Sequence, residues 1–485
     1  MTAAGASAGT SAGTSAGAPV AMPMAGPGLE PRLAAGLARF AYGLRQNDIS
    51  AAAAAHVTAL TVDAIGCALA GWDAEETAWV LAAARRIGGD AGDSTVIGSD
   101  AAASPLTAVL SNAYLTTGIT ACDVYIPSHC HLTPEIVPTA LAVAELEHSS
   151  GTALRTALTA GLEVTSRLLR AIDYAEFRRR GWHSPGVIGP VGAATAAGLL
   201  LGLDEAGLRT AMSLAVSQSA GTFAAWPTTA VKFHQARGAA AGLLAAVLAR
   251  EGFTASPDPF ESPDGGLLRA YAPGDPGLAL ADLGLEWELE QVSIRLWPGA
   301  TPVQALLTAL LAGGRPLPAA ADVREAEIRV PPPIYAAHRG VARPAGTFEA
   351  LLSFHYVAAA TILHGRFGID LTTPEHRADP ELTAFIDQRV SLLPDDGLPR
   401  GAVEVKLTTG DGGTRVLRTE HALGTPQRPA PARRVQEKFL EYATPRIGDA
   451  AADLLARLTH LDDVPDAAAV ARLTRPTARR GGGAR

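Results

Sequence analysis

Nearly every residue over 184–203 is small or apolar, and alanine and glycine dominate the whole chain while aromatic residues make up only 5% of it. Side chains this small let helices approach closely, which points to a mainly helical body. With 48% hydrophobic residues in 485, a large core is available and more than one domain is expected. Pro190 would disturb a helix through this stretch unless it falls at a turn.

Cap signals and apolar periodicity place further helices at 31–44, from Ile49-Ser50 to about Ala70, and at 76–87, 103–118, 136–146, 152–175, 205–220 and 234–251, the last ending at Gly252. Asp63, inside the second of these, reads as a polar residue paired with a neighbouring helix. The texture changes near residue 277. Residues 287–296 alternate as a half-buried strand does, 325–330 form a second strand, and 403–407 with 415–418 flank Gly410-Asp411-Gly412-Gly413 as a hairpin. Helices at 302–312, 348–364 and 381–387 lie between them, and the chain returns to helix at 433–443 and 449–458. The expected organisation is a disordered tail at 1–28, an all-helical body from 29–276 and 427–475, and an inserted α+β lid at 277–426, with a ligand cleft between body and lid. The Arg/Gly-rich end is expected to be loose.

A net charge of −8, without a basic stripe interleaved with aromatics, excludes a nucleic-acid partner. No continuous apolar run reads as a membrane span, and the uncharged N-terminal repeats lack the basic region of a secretory signal. Cys67, Cys122 and Cys130 make no disulfide framework and suit a reducing cytoplasm.

Two short stretches share one grammar. In His131-Leu132-Thr133-Pro134 and in His183-Ser184-Pro185, a histidine stands just before a hydroxyl residue and a proline that open a helix. Helix N-termini favour anions, so two such histidines suggest a shared anionic ligand. Asp123, Lys232, Arg295 and Tyr356 join them as candidates. Proton transfer next to a carboxylate needs cations to hold the charge and a base or acid to move the proton, and a histidine beside a helix N-terminus stays neutral. Each residue also has a plainer reading. His131 is then a satisfied loop histidine, Asp123 a turn cap, Lys232 a surface lysine and Tyr356 a core tyrosine with a bonded hydroxyl. The Arg178-Arg179-Arg180 run reads as a solvated face. His129-Cys130-His131 could suggest zinc, but adjacent ligands do not complete a tetrahedron, so no metal is expected.

Taken together, several motifs resemble the MmgE/PrpD family, which includes 2-methylcitrate dehydratase, cis-aconitate decarboxylase and iminodisuccinate epimerase. The carriers are Asp63-Ala64-Ile65-Gly66-Cys67, the 123–138 loop, Gly181-Trp182-His183-Ser184-Pro185-Gly186, Lys232, Gly252-Phe253-Thr254, residues 349–358 and the helix around 435–439. The resemblance covers about 33–460. It implies a helical body with an α+β lid, a homodimer, no cofactor, and site positions matching Asp123, His131, His183, Lys232 and Tyr356. Arg295, Gln304 and Ser184 are expected to contact substrate. Two departures stand out. The family's Asp-rich loop continues here as Val124-Tyr125-Ile126-Pro127, and its lid motif reads Arg295-Leu296-Trp297-Pro298-Gly299-Ala300, with Gln304 in place of the lid histidine. The expected function is a cofactor-free lyase, a dehydratase or decarboxylase, acting on a small carboxylate-bearing substrate. The alternatives are an isomerase, epimerase or cyclase on another substrate, and a non-catalytic descendant that binds a metabolite.

Overall fold

The computed structural model describes residues 32–314 and 316–476. The tail expected at 1–28 and the Arg/Gly-rich end lie outside these residues. The body is built around the helix Ser184–Leu200, which packs on Thr133–Leu146, Gly151–Ala171, Glu205–Ser217 and Ala230–Arg250. A β-carbon at Gly192 would stand 2.7 Å from the Gly161 carbonyl oxygen, so glycine is what lets these two helices touch. Pro190 sits inside the helix and not at a turn. The amide it lacks would have bonded the Gly186 carbonyl. That oxygen accepts instead from Ala220 N at 3.1 Å and from Arg237 Nη2 at 2.7 Å, so nothing is left unpaired and the helix runs through its proline.

Helix starts follow their caps. Ser50 accepts from Ala53 N at 3.0 Å, Ser150 from Ala153 N at 3.1 Å, and Asp204 from Gly207 N at 2.8 Å. The expected helix at 152–175 divides into Gly151–Ala171 and Tyr174–Arg179. Ala230–Arg250 begins before His234, which puts Lys232 on the helix and not in the loop ahead of it. The helix Ala51–Ala70 packs on Ala432–Ile447, with Gly66 against Phe439. By length and composition the stretch Ala51–Asp73 would suffice to cross a membrane, against the sequence reading, yet most of it is buried within the fold.

The sheet has four strands in the order Val390–Pro394, Val323–Val330, Val403–Thr409, Thr414–Thr419. The first pair is parallel, with Ile328 opposite Leu392, and the others are antiparallel, with Ile328 opposite Val405 and Val405 opposite Leu417. Helices Thr301–Leu311, Phe354–His364 and Pro380–Arg389 pack against it. Residues 287–296 form no strand of this sheet. The Glu163 carboxylate accepts from Glu288 N at 3.1 Å and Leu289 N at 2.9 Å, which curls Glu288–Gln291 into a 3-10 turn. Only Val292–Ser293 is extended, and it pairs with Val124–Tyr125 of the histidine loop. Arg295 is thereby tied to the loop that carries His131.

Candidate active site

The histidine loop is held by Asp123. Its buried carboxylate accepts from Leu132 N at 2.8 Å, Thr133 N at 3.1 Å and Thr133 Oγ1 at 2.5 Å. Thr133 is the first residue of the helix Thr133–Leu146 and not its cap, because the capping oxygens come from Asp123 across the loop. Burial pushes the Asp123 pKa up to about 6, against the pull of the three donors. Its carbonyl oxygen lies 2.6 Å from His131 Nδ1. A carbonyl can only accept, so Nδ1 carries the hydrogen and Nε2 of the neutral ring offers a lone pair. Burial first, and then the Arg295 charge, lower the His131 pKa to about 3, which keeps the ring neutral.

His183 is the residue before the helix Ser184–Leu200, and its Nδ1 lies 3.0 Å from His234 Nδ1. Burial, then His234 and His131, hold its pKa well below the usual imidazole range. The Ser184 hydroxyl donates to the Ser128 carbonyl at 2.8 Å, which pins the histidine loop to this helix and leaves Ser184 out of the cavity lining.

Lys232 is no surface lysine. It is 5% exposed, donates to the Gly118 carbonyl, and holds its ammonium 4.9 Å from the centre of the Phe348 ring. Burial lowers its pKa to about 8. Arg295 is buried too, with Nε on the Cys122 carbonyl at 2.6 Å and Nη1 on the Gly299 carbonyl at 3.1 Å.

His131, His183, Lys232 and Arg295 line one cavity of about 370 Å³. Arg178 joins them, its guanidinium 3.3 Å from the centre of the Phe223 ring, so this member of the arginine run is no solvated face. Arg179 and Arg180 pair with Glu176, as a surface run does. The sequence reading missed His338, Trp226, Phe348, Thr120 and Gln235, all of which line the cavity. None lies in a recognisable motif, and tertiary packing alone brings them in. Among the described residues, Thr120 Oγ1 and Gln235 Oε1 are buried without a hydrogen-bond partner, which suits a polar ligand. No group of three or more His, Cys, Asp or Glu side chains among the described residues is arranged to hold a metal ion.

Besides Ser184, three of the expected site residues stand elsewhere. Asp123 is fully buried as a cap. Tyr356 is 1% exposed, and its hydroxyl donates to the Leu371 carbonyl at 2.5 Å, the plainer of its two readings. Tyr356→Phe is therefore expected to lower stability by about 1 kcal/mol and leave turnover unchanged, as chemical denaturation and an activity assay would check. Gln304 accepts from Trp297 N at 3.3 Å and donates to the carbonyls of Trp297 at 3.0 Å and Gly299 at 3.2 Å. It holds the turn after Arg295 and lines a second cavity of about 420 Å³, with Val124, Ile126 and Pro127. The positions where the chain departs from the family's motifs thus lie together.

Neutral histidines beside buried cations form a site fitted to take up an anion and move a proton. Residues 35–278 match the MmgE/PrpD N-terminal domain and residues 297–461 the MmgE/PrpD C-terminal domain, and the chain belongs to the MmgE/PrpD family. It is 27% identical over 382 residues to a cis-aconitate decarboxylase-like protein of Aspergillus oryzae, covering 73% of this chain and 78% of that protein. It is also 27% identical over 365 residues to the cis-aconitate decarboxylase of Homo sapiens, covering 71% of this chain and 74% of that one. The mouse cis-aconitate decarboxylase is 26% identical over 357 residues.

Proposed function

We propose that the chain is a cofactor-free lyase, a decarboxylase before a dehydratase, acting on a small polycarboxylate by proton transfer to carbon. The observation that carries this reading is the joint presence of His131, His183, Lys232 and Arg295 in one cavity. The names of the relatives point the same way. Lys232 and Arg295 hold carboxylates of the substrate. Bound negative charge raises the pKa of the neighbouring imidazoles, so His183 takes up a proton as the substrate enters. The bond to one carboxylate then breaks and carbon dioxide leaves. The electron pair spreads toward a carboxylate held by the cations, and His183 delivers its proton to the carbon. The test is turnover of a panel of citrate- and aconitate-like acids, followed by carbon dioxide release. A panel left unchanged by the folded protein would refute the reading. An isomerase in which neutral His183 takes a proton from one carbon and returns it to another is the second reading, and an isomeric product without carbon dioxide would select it.

Lys232 sets a pH limit. Its ammonium form holds the carboxylate, and deprotonation above its pKa of about 8 removes that charge. The expected result is that kcat/KM falls as pH rises through about 8, and that Lys232→Met, already slow, lacks this limb. A wild-type profile flat to pH 10 would exclude the role.

The proposed assembly is a homodimer. Phe233, Leu244 and Val247 lie on one face of the helix Ala230–Arg250 and are 45%, 48% and 37% exposed, an apolar stripe that a partner surface would cover. Light scattering is expected to return twice the chain mass at micromolar concentration, and a monomer would contradict it.

A further inference from the structure

The second cavity differs in chemistry from the first. Its walls are mainly carbon, from Ile126, Pro127, Ile294, Ala305, Ile334 and Leu423. The ionisable groups that line it, apart from Arg295, are His129, Arg400, Glu420 and His421, and all four are exposed at its solvent edge. The amide of Gln304 is committed to the Trp297–Gly299 turn and presents no free charge. The two cavities border each other along Val124, His129, Arg295, Thr301 and Pro302. Of these five, Val124 and Arg295 are buried, Thr301 and Pro302 half-buried and His129 exposed, so the wall the cavities share runs from the Arg295 guanidinium out to solvent. A citrate-sized acid held by Lys232 and Arg295 fills only the first cavity and leaves about 420 Å³ of carbon-walled space beside it.

Resting on the carboxylate reading above, we infer that the substrate is an amphiphilic acid, a polycarboxylate head bearing an unbranched alkyl arm, and that the second cavity takes the arm. The head occupies the cavity of His131, His183 and Lys232, and the arm leaves it past Arg295 along the wall of Ile126 and Ile334. The gain comes from removing methylenes from water, about four-fold in affinity for each one buried.

The test uses non-reacting acids. Propane-1,2,3-tricarboxylate, plain and with an alkyl chain of about four carbons, is titrated into the full-length protein by calorimetry. Two variants narrow the second cavity from its half-buried rim, Ala422→Phe and Ile334→Trp. Thermal melts first confirm that each variant folds, and two separate sites guard against one failing to. The expected result is that wild type binds the alkylated acid at least about ten-fold tighter than the plain one, and that either variant erases this preference while binding the plain acid unchanged. Equal affinity for the two acids, or a preference untouched by both variants, overturns the inference and leaves the carboxylate reading standing. Failure of wild type to bind either acid overturns both.

Discussion

His183→Ala is expected to lower kcat by about 10²–10⁴-fold, the usual worth of a general acid or base, with a thermal melt close to that of the wild type. The ring touches the cavity on one side and His234 on the other, and it lies outside the helix it precedes, so its removal cuts no backbone bond. His131 does not replace it. Its Nδ1 hydrogen is committed to the Asp123 carbonyl, and its pKa of about 3 leaves it a poor proton carrier. His234→Ala should act more mildly and mainly through pH. It removes one of the groups that depress the His183 pKa, so the pH dependence of kcat/KM should shift upward while kcat is largely kept. Normal turnover by His183→Ala would remove this residue from the chemistry.

The second large effect is structural. Lys438, on the helix Ala432–Ile447, is 1% exposed, and the three hydrogens of its ammonium are shared among four acceptors. Its ammonium reaches the Asp63 carboxylate, the Ala121 carbonyl at 2.8 Å, the Arg295 carbonyl at 2.6 Å and the Cys67 sulfur at 3.6 Å. One cation therefore joins the helix Ala51–Ala70 to both strips of chain that frame the cavity. Lys438→Met leaves the Asp63 carboxylate buried without its cation, and breaking a buried pair in this way costs about 3–5 kcal/mol. Chemical denaturation should show that loss. Asp63→Asn with Lys438→Met should recover part of it, since neither charge then remains. A loss below about 1 kcal/mol for Lys438→Met would mean that the pair carries little of the fold.

Asp63 shows where sequence reading works. An acid in the middle of an apolar helix has few alternatives to a buried partner, and the partner is there. The helical body was legible for the same reason, because Ser50, Ser150 and Asp204 are local signals that cap locally. The hairpin was legible from its glycine-rich turn between alternating strands. The failures come from interactions at long range. Residues 287–296 alternate like a strand, but the Glu163 carboxylate, far away in sequence, captures their amides and curls them. The strand Val390–Pro394 is half exposed and directly follows a helix, so no apolar pattern marks it, and its parallel pairing to Val323–Val330 comes only with the fold.

The site divides along the same line. His131 and His183 sit in local motifs and reach the cavity. Lys232 reaches it because its helix starts earlier than its apolar period suggests. Asp123 and Tyr356 look chemical in isolation and prove to be bound to backbone, one capping a helix and the other held by Leu371. Thr120, Gln235, Phe348 and His338 carry no motif, and distant parts of the chain bring them together.

The most direct test of the proposed chemistry is to follow the purified protein with cis-aconitate and its alkyl-bearing analogues in D2O by proton and carbon NMR. The account predicts the loss of one carboxyl group as carbon dioxide and one deuterium placed on carbon per turnover, both abolished in His183→Ala. Acids returned unchanged, or a product that keeps all its carbons, would contradict it.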